Sequence, residues 1–178
     1  VLGEYDMTIA LKLGAEYENI RAASKFKTIT VDLNDIKFEL KVRIPVKREM
    51  EAITSSVTKP DEATVQKIYD EFSAPIRKTL EEADPEFLET INKDKEKIRI
   101  TDNDLIVDGN SVRHIAQMTA TWQMQVEKYF SLLHSVTGEP ITESYDEIAE
   151  EFPEVIIREI VAKIDEAIRP NYKETKKN

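Results

Sequence analysis

Lys27-Thr28-Ile29-Thr30-Val31-Asp32-Leu33-Asn34-Asp35-Ile36-Lys37-Phe38-Glu39-Leu40-Lys41-Val42-Arg43-Ile44 is the stretch that decides the fold. Ile29, Val31 and Leu33 alternate with polar residues, and after Asn34-Asp35 the alternation resumes with Ile36, Phe38, Leu40, Val42 and Ile44. A period of two places one apolar and one polar face on each strand. A two-residue Asn-Asp turn sets Leu33 opposite Ile36, Val31 opposite Phe38 and Ile29 opposite Leu40, with all six on one face. A one-residue slip would turn that face to water, so the register is strongly specified. Asn and Asp tolerate positive φ better than most residues. Pro45 ends the second strand.

On the N-terminal side, Ile9, Leu11 and Leu13 alternate with Thr8, Ala10 and Lys12. This predicts a further short strand ending at Gly14, followed by a loop or helical turn over residues 16–24. On the C-terminal side the period becomes helical. Met50, Ile53 and Val57 fit a short helix. Pro60-Asp61 opens another, with Val65, Ile68, Tyr69 and Phe72 as its stripe and Pro75 breaking or kinking it. Asp84-Pro85 opens a third, containing Phe87, Leu88 and Ile91. Ile98, Ile100, Leu105 and Val107 predict a second strand pair turning at Asp102-Asn103. Ser111 then caps a long helix reaching about Val136, whose expected apolar face is Ile115, Met118, Trp122, Val126, Tyr129, Phe130 and Leu133. A short helix over residues 144–152 and a final one over residues 153–169 complete the pattern. The fold class is α+β: an N-terminal antiparallel β-hairpin or small sheet packed on a mostly helical body. Residues 27–170 are read as one domain, residues 1–26 as a separate N-terminal segment, and residues 171–178 as a polar, frayed tail.

Composition narrows the function. The chain has 178 residues, no cysteine, four glycines and a formal net charge of −10. A chain of this length buries roughly 70% of the surface its unfolded form exposes, so it needs no covalent staple. Without cysteine there is no disulfide, thiolate metal site or thiol nucleophile. The acidic balance disfavours nucleic acid, which is held by clustered Lys and Arg. No apolar run approaches the ~20 residues of a membrane span. Val1-Leu2-Gly3-Glu4 lacks the pattern of a signal peptide, and the missing initiator Met suggests an altered or trimmed start.

Candidate chemistry is sparse. Glu39-Leu40-Lys41 matches the acidic-x-Lys element of metal-dependent nucleases, with Asp32 as the nearest upstream carboxylate. Alternating Glu and Lys are equally what the wet face of an amphipathic hairpin supplies. Asp102, Asp104 and Asp108 fail the calcium-loop pattern, because Ile106, Val107 and Arg113 occupy its fifth, sixth and twelfth positions. His114 and His134 are ~30 Å apart if one helix carries both, too far to share a metal. No catalytic residue, metal ligand or cofactor is therefore expected. Residues 139–154 carry seven carboxylates and no Lys or Arg. Such a run is a solvated face or a device that steers a basic partner. The final helix has a wide apolar arc of Ile156, Ile157, Ile160, Val161 and Ile164, which suits a core helix and also a groove-and-helix contact with another protein.

The layout resembles a known family. The hairpin is followed by Ile44-Pro45-Val46-Lys47-Arg48-Glu49-Met50 and a mostly helical body. The chain closes with Phe152-Pro153, an Ile/Val-rich helix and Pro170-Asn171-Tyr172-Lys173-Glu174-Thr175-Lys176-Lys177-Asn178. Over residues 27–178 this is similar to the tail assembly chaperones of long, non-contractile-tailed phages and prophages. The resemblance implies a non-enzymatic protein of the infected bacterial cytoplasm that coats the tape measure protein and recruits tail tube subunits. It also implies that this chain corresponds to the shorter of two frameshift products. No individual binding residue carries over from it. The expected partners are accordingly the tape measure and tail tube proteins, with no nucleic acid and no membrane. Homo-oligomerisation is expected from the hairpin's free edges and the apolar last helix. A permanent tail or connector subunit, a small metal-dependent nuclease and a generic host adaptor are the alternatives.

Overall fold

Strands β1 (Phe26–Leu33) and β2 (Ile36–Arg43) pair antiparallel in the expected register, Leu33 with Ile36, Val31 with Phe38 and Ile29 with Leu40. The structure is a computed structural model describing residues 8–93 and 97–169. Asn34 (φ 49°) and Asp35 (φ 70°) both take the left-handed conformation. That is the requirement of the type I′ turn, whose twist matches the flanking strands. Ile29, Val31 and Val42 are buried, whereas Ile36 at the tip is 69% exposed. The apolar face is therefore covered at the open end of the hairpin and bare near the turn. A left-handed conformation is costly for any residue with a Cβ. Asp35→Gly is expected to stabilise the protein by about 0.5 kcal/mol, after the entropy lost by Gly is counted. An unchanged or lower Tm would contradict this.

The chain falls into two compact units, residues 1–50 with 126–178, and residues 51–125. The sequence reading of one domain over residues 27–170 drew no such division. Its boundaries lie inside α3 (Lys47–Thr58) and α6 (Val112–Phe130).

The first unit contains the hairpin. It opens with α1 (Ile9–Lys12) and α2 (Ala15–Ser24), so the strand expected at residues 9–13 is corrected to a helical turn. Thr8 caps α1 through its side chain, and Gly14 (φ 98°) separates the two helices. No described strand lies alongside to satisfy these backbone groups as a ladder would, and the intrahelical bonds do so instead. Only Ala10 is buried there; Ile9, Leu11 and Leu13 are exposed, so the apparent alternation marks no core face.

Helix α6 ends at Phe130, not Val136. Beyond it the backbone turns to lie against β2: Arg43 N donates to Leu132 O, and His134 N donates to Lys41 O, both at 2.8 Å. This occupies one of the two edges that the sequence reading left free. The unit closes with α7 (Tyr145–Glu151) and α8 (Glu154–Ile168). A capping box starts α7, with Ser144 and Glu147 each bonding the other's backbone N–H. Helix α8 lies against β1, and Lys27 Nζ donates to Ala167 O at 2.9 Å. Near its start α3 is tied to β2 by a two-pronged pair, Arg43 to Glu49, with Nη1 to Oε2 at 2.7 Å. Hydrogen bonding to Arg43 holds the Glu49 carboxyl below its usual pKa, despite the opposing effect of burial.

The second unit contains α4 (Glu62–Glu81), α5 (Pro85–Lys93) and a small antiparallel sheet of β3 (Ile98–Ile100), β4 (Leu105–Val107) and β5 (Asn110–Ser111). Asp61 caps α4 by accepting from Thr64 N. Pro75 was expected to break or kink this helix; it does not break it, and α4 runs through. Pro75 and Glu71 are both exposed, so the carbonyl deprived of a partner can be met by water. The core joins Val65, Ile68 and Tyr69 of α4 to Leu105 of β4 and to Val112, Ala116 and Ala120 of α6. The expected α6 stripe is thus corrected in its first half. Its buried face is Val112-Ala116-Ala120, and Ile115 and Met118 are exposed. Small residues let helices approach closely, and a pattern search weighted toward large side chains misses them. No described helix is long and apolar enough to cross a membrane.

Candidate functional site

An enclosed apolar recess lies in the first unit, about 280 Å³ in volume. Strand β2 contributes Phe38 and Leu40 from the half-covered part of its apolar face. The end of α6 and the segment after it contribute Phe130 and Leu133. Ile148 and Phe152 come from α7 and its C-cap, and Ile160 from α8. Phe130, Ile148 and Ile160 are buried and form the floor, with the Phe130 and Phe152 rings edge to face at 5.7 Å. This geometry is favourable for paired aromatic quadrupoles. The α7 wall is held in place by Tyr145 N, which donates to Glu127 Oε1 at 2.8 Å.

The rim has one sign of charge. Glu143, Glu147 and Glu151 line the recess and are exposed, and no Lys or Arg lines it. Glu147 and Glu151 are one helical turn apart on the same side of α7. Glu147 also accepts from Ser144 N (2.7 Å) and Ser144 Oγ (3.0 Å). These bonds favour the ionised form and lower its pKa. The charge is therefore retained at neutral pH. Residues 139–154 are not uniformly a solvated face: three of their carboxylates border an apolar recess.

Chemically, the recess offers van der Waals area at its floor and attraction for cations at its edge. The His134 ring, also at the rim, sits edge to face with Phe26 at 5.0 Å. Among the described residues, no three His, Asp or Glu side chains converge to hold a metal ion.

The residues singled out on the final helix lie mostly inside the unit. Ile157, Ile160, Val161 and Ile164 are buried within the unit, and Ile156 is half-buried. Four of the five pack inside the unit, which matches the core-helix reading, and only Ile160 lines the recess, at its floor. Glu39 and Lys41 are exposed on the hairpin's polar face, opposite Thr30 and Thr28. Asp32 pairs with Lys37 at 3.4 Å. Of the three clustered aspartates, Asp104 is engaged with Ser111 and the start of α6, and Asp108 (φ 48°) forms the β4–β5 turn with Gly109. His114 and His134 belong to different units.

Sequence reasoning missed the recess because its walls come from four separated segments. The available signal was the juxtaposition of an acidic run with Ile141, Ile148 and Phe152, which alone of that stretch are large and aliphatic or phenyl. Two shallower depressions of about 510 Å³ each occur in the second unit, one bordered by Met118 and Trp122 and the other by Phe72 and Ile115. Compared with protein-family models, curated proteins and solved structures, the chain has no match in any of the three, so its function rests on its own residues.

Proposed function

We propose that this chain is a non-enzymatic protein-binding module that acts as a phage tail assembly chaperone. On this reading it holds the tape measure protein in the cytoplasm of the infected bacterium while tail tube subunits are recruited. The observation that carries it is the apolar recess rimmed by Glu143, Glu147 and Glu151. A long helical client exposes apolar stripes until a tube encloses it. A recess of this size covers only a few side chains, so each contact is weak. Many copies along one client supply the hold, and each can still exchange as the tube grows. The net charge of −10 keeps such a coat soluble. Self-association fits this role, with Ile9, Leu11, Leu13 and Ile20 exposed on α1, its C-cap and α2.

Co-expression with a candidate tape measure protein from the same genome, followed by affinity capture, tests the proposal. Stoichiometric co-purification is expected at low salt, weakening several-fold at about 0.5 M salt because exposed charges are then screened within a few ångströms. A folded wild type that fails to capture its cognate partner at low salt would reject the chaperone role. Finding the protein in purified virions would instead favour a permanent tail subunit.

A further inference from the structure

The recess also constrains what its occupant looks like, and this step rests on the protein-binding reading above. We infer that the recess takes an amphipathic helix whose apolar stripe is flanked by Lys or Arg at positions i and i+4, with a third cation toward Glu143. Three features carry the assignment. Below the rim the lining is apolar and holds no charged group that would select a polar ligand: Phe38, Leu40, Leu133 and Phe152 surround the floor of Phe130, Ile148 and Ile160. The charged groups at the mouth are Glu143, Glu147 and Glu151, with His134 the only other titratable side chain there. Finally, Glu147 and Glu151 are one turn apart on α7, about 6 Å along the axis. A partner helix lying alongside has the same rise, so its residues i and i+4 meet the two carboxylates together. An acidic or phosphorylated ligand would meet like charge at every rim position, and a neutral apolar segment would leave the rim unused. The carboxylates select and orient, while the floor supplies the affinity.

Because the chain contains no cysteine, Thr142→Cys gives one labelling position beside the rim. Three 20-residue helical peptides serve as probes: a Leu/Ile stripe flanked by Lys at i and i+4, the same stripe flanked by Glu, and a scrambled version of the Lys peptide. The label is expected to report saturable binding of the Lys peptide, about tenfold tighter than the Glu peptide, as expected for two or three exposed charge pairs. The scrambled peptide should bind at least as weakly as the Glu peptide. Glu143→Lys with Glu151→Lys should reverse the order of the Lys and Glu peptides. Both substitutions leave the Ser144–Glu147 capping box intact, and circular dichroism checks the fold. Glu81→Lys with Glu82→Lys, at the end of α4 and its C-cap, makes the same change in net charge at residues that do not line the recess and should leave the order unchanged.

Equal affinity for the Lys and Glu peptides would overturn the assignment, as would an equal loss in the α4 variant. So would a wild type that self-associates and becomes monomeric when Glu143 and Glu151 are replaced, since the occupant would then be a second copy of the chain. Tape-measure capture that survives the rim swap unchanged would sink this assignment and leave the chaperone role standing. Peptide selectivity without capture would do the reverse.

Discussion

Ile164→Asp is expected to unfold the first unit at 25 °C, the largest single-residue effect in the chain. Ile164 is 0% exposed, and Ile157 and Ile160 on the same side of α8 are 1% exposed. Truncating a buried Ile costs about 2–5 kcal/mol through lost transfer energy and the cavity left behind. Asp adds a carboxyl in an apolar setting, costing at least another ~1–3 kcal/mol even when it neutralises itself by taking a proton. The sum is comparable to the ~5–15 kcal/mol that holds a typical domain together. Val155→Asp, on the same helix but 60% exposed, should change stability by no more than about 0.5 kcal/mol. Far-ultraviolet circular dichroism with thermal melting distinguishes them: the Ile164 variant should lose its cooperative transition while the Val155 variant keeps it. A wild-type melt for Ile164→Asp would mean that α8 does not pack as described. The same logic bears on binding experiments. Loss of partner capture by Ile157→Asp or Ile160→Asp would report unfolding, so contact is better probed at Glu143 and Glu151, which are exposed and whose replacement leaves the core intact.

The hairpin was legible because two independent constraints agree on it. The period-two pattern sets the face, and Asn34-Asp35 sets the turn. The second strand pair was legible for a similar reason, with Asp108-Gly109 punctuating it. Where a single constraint operated, reading was less secure. Ile9, Leu11 and Leu13 alternate over too few residues for the pattern to outweigh the Thr8 cap and the lack of a pairing partner. Pro75 signals a break only if its helix needs the missing hydrogen bond in a dry place, and burial is not written locally. The α6 stripe was misassigned because Ala116 and Ala120 define the packed side by being small, while Ile115 and Met118 are large and outside. The recess was least legible of all. Phe38, Leu133, Ile148 and Ile160 are brought together by the return of the chain against β2 and by α8 crossing β1, and both depend on tertiary pairing. The acidic run was visible, but its meaning changes only when an apolar floor lies beside it.

Asp104→Ala is expected to destabilise the second unit by about 2–4 kcal/mol, the cost of removing a helix-start anchor that also satisfies several partly buried donors. The Asp104 carboxylate accepts from Leu105 N (2.8 Å), Arg113 N (3.0 Å) and the Ser111 hydroxyl. Ser111 in turn accepts from His114 N at 2.9 Å, so the first turn of α6 is held by two side chains in series. Arg113 extends the same construction. Its Nε donates to Asn103 O at 2.7 Å, its Nη2 donates to Gln66 Oε1 at 2.8 Å, and its guanidinium lies 4.6 Å from the centre of the Tyr69 ring. Removing Asp104 thus loosens the β3–β4 turn from α6, with the Arg113–Asn103 bond remaining, and leaves the Arg113 amide without its acceptor. Asp104→Asn keeps one carbonyl oxygen and should lose only about half as much. The dependence on pH separates charge from shape. Burial pushes the Asp104 carboxyl pKa up, but the bonds from Ser111 and the two amides, with the charge of Arg113, outweigh it and leave the pKa lowered. A carboxyl with a lowered folded pKa contributes stability that is fully present above its unfolded value, near 4, and is lost as pH falls through the folded value. Urea melts from pH 7 down to pH 2 should therefore show the wild type losing more stability below about pH 4 than Asp104→Ala, with the two curves converging at the acid end. Curves that stay parallel would mean that Asp104 acts through its shape alone, and that the start of α6 is held by Ser111 without help from the charge.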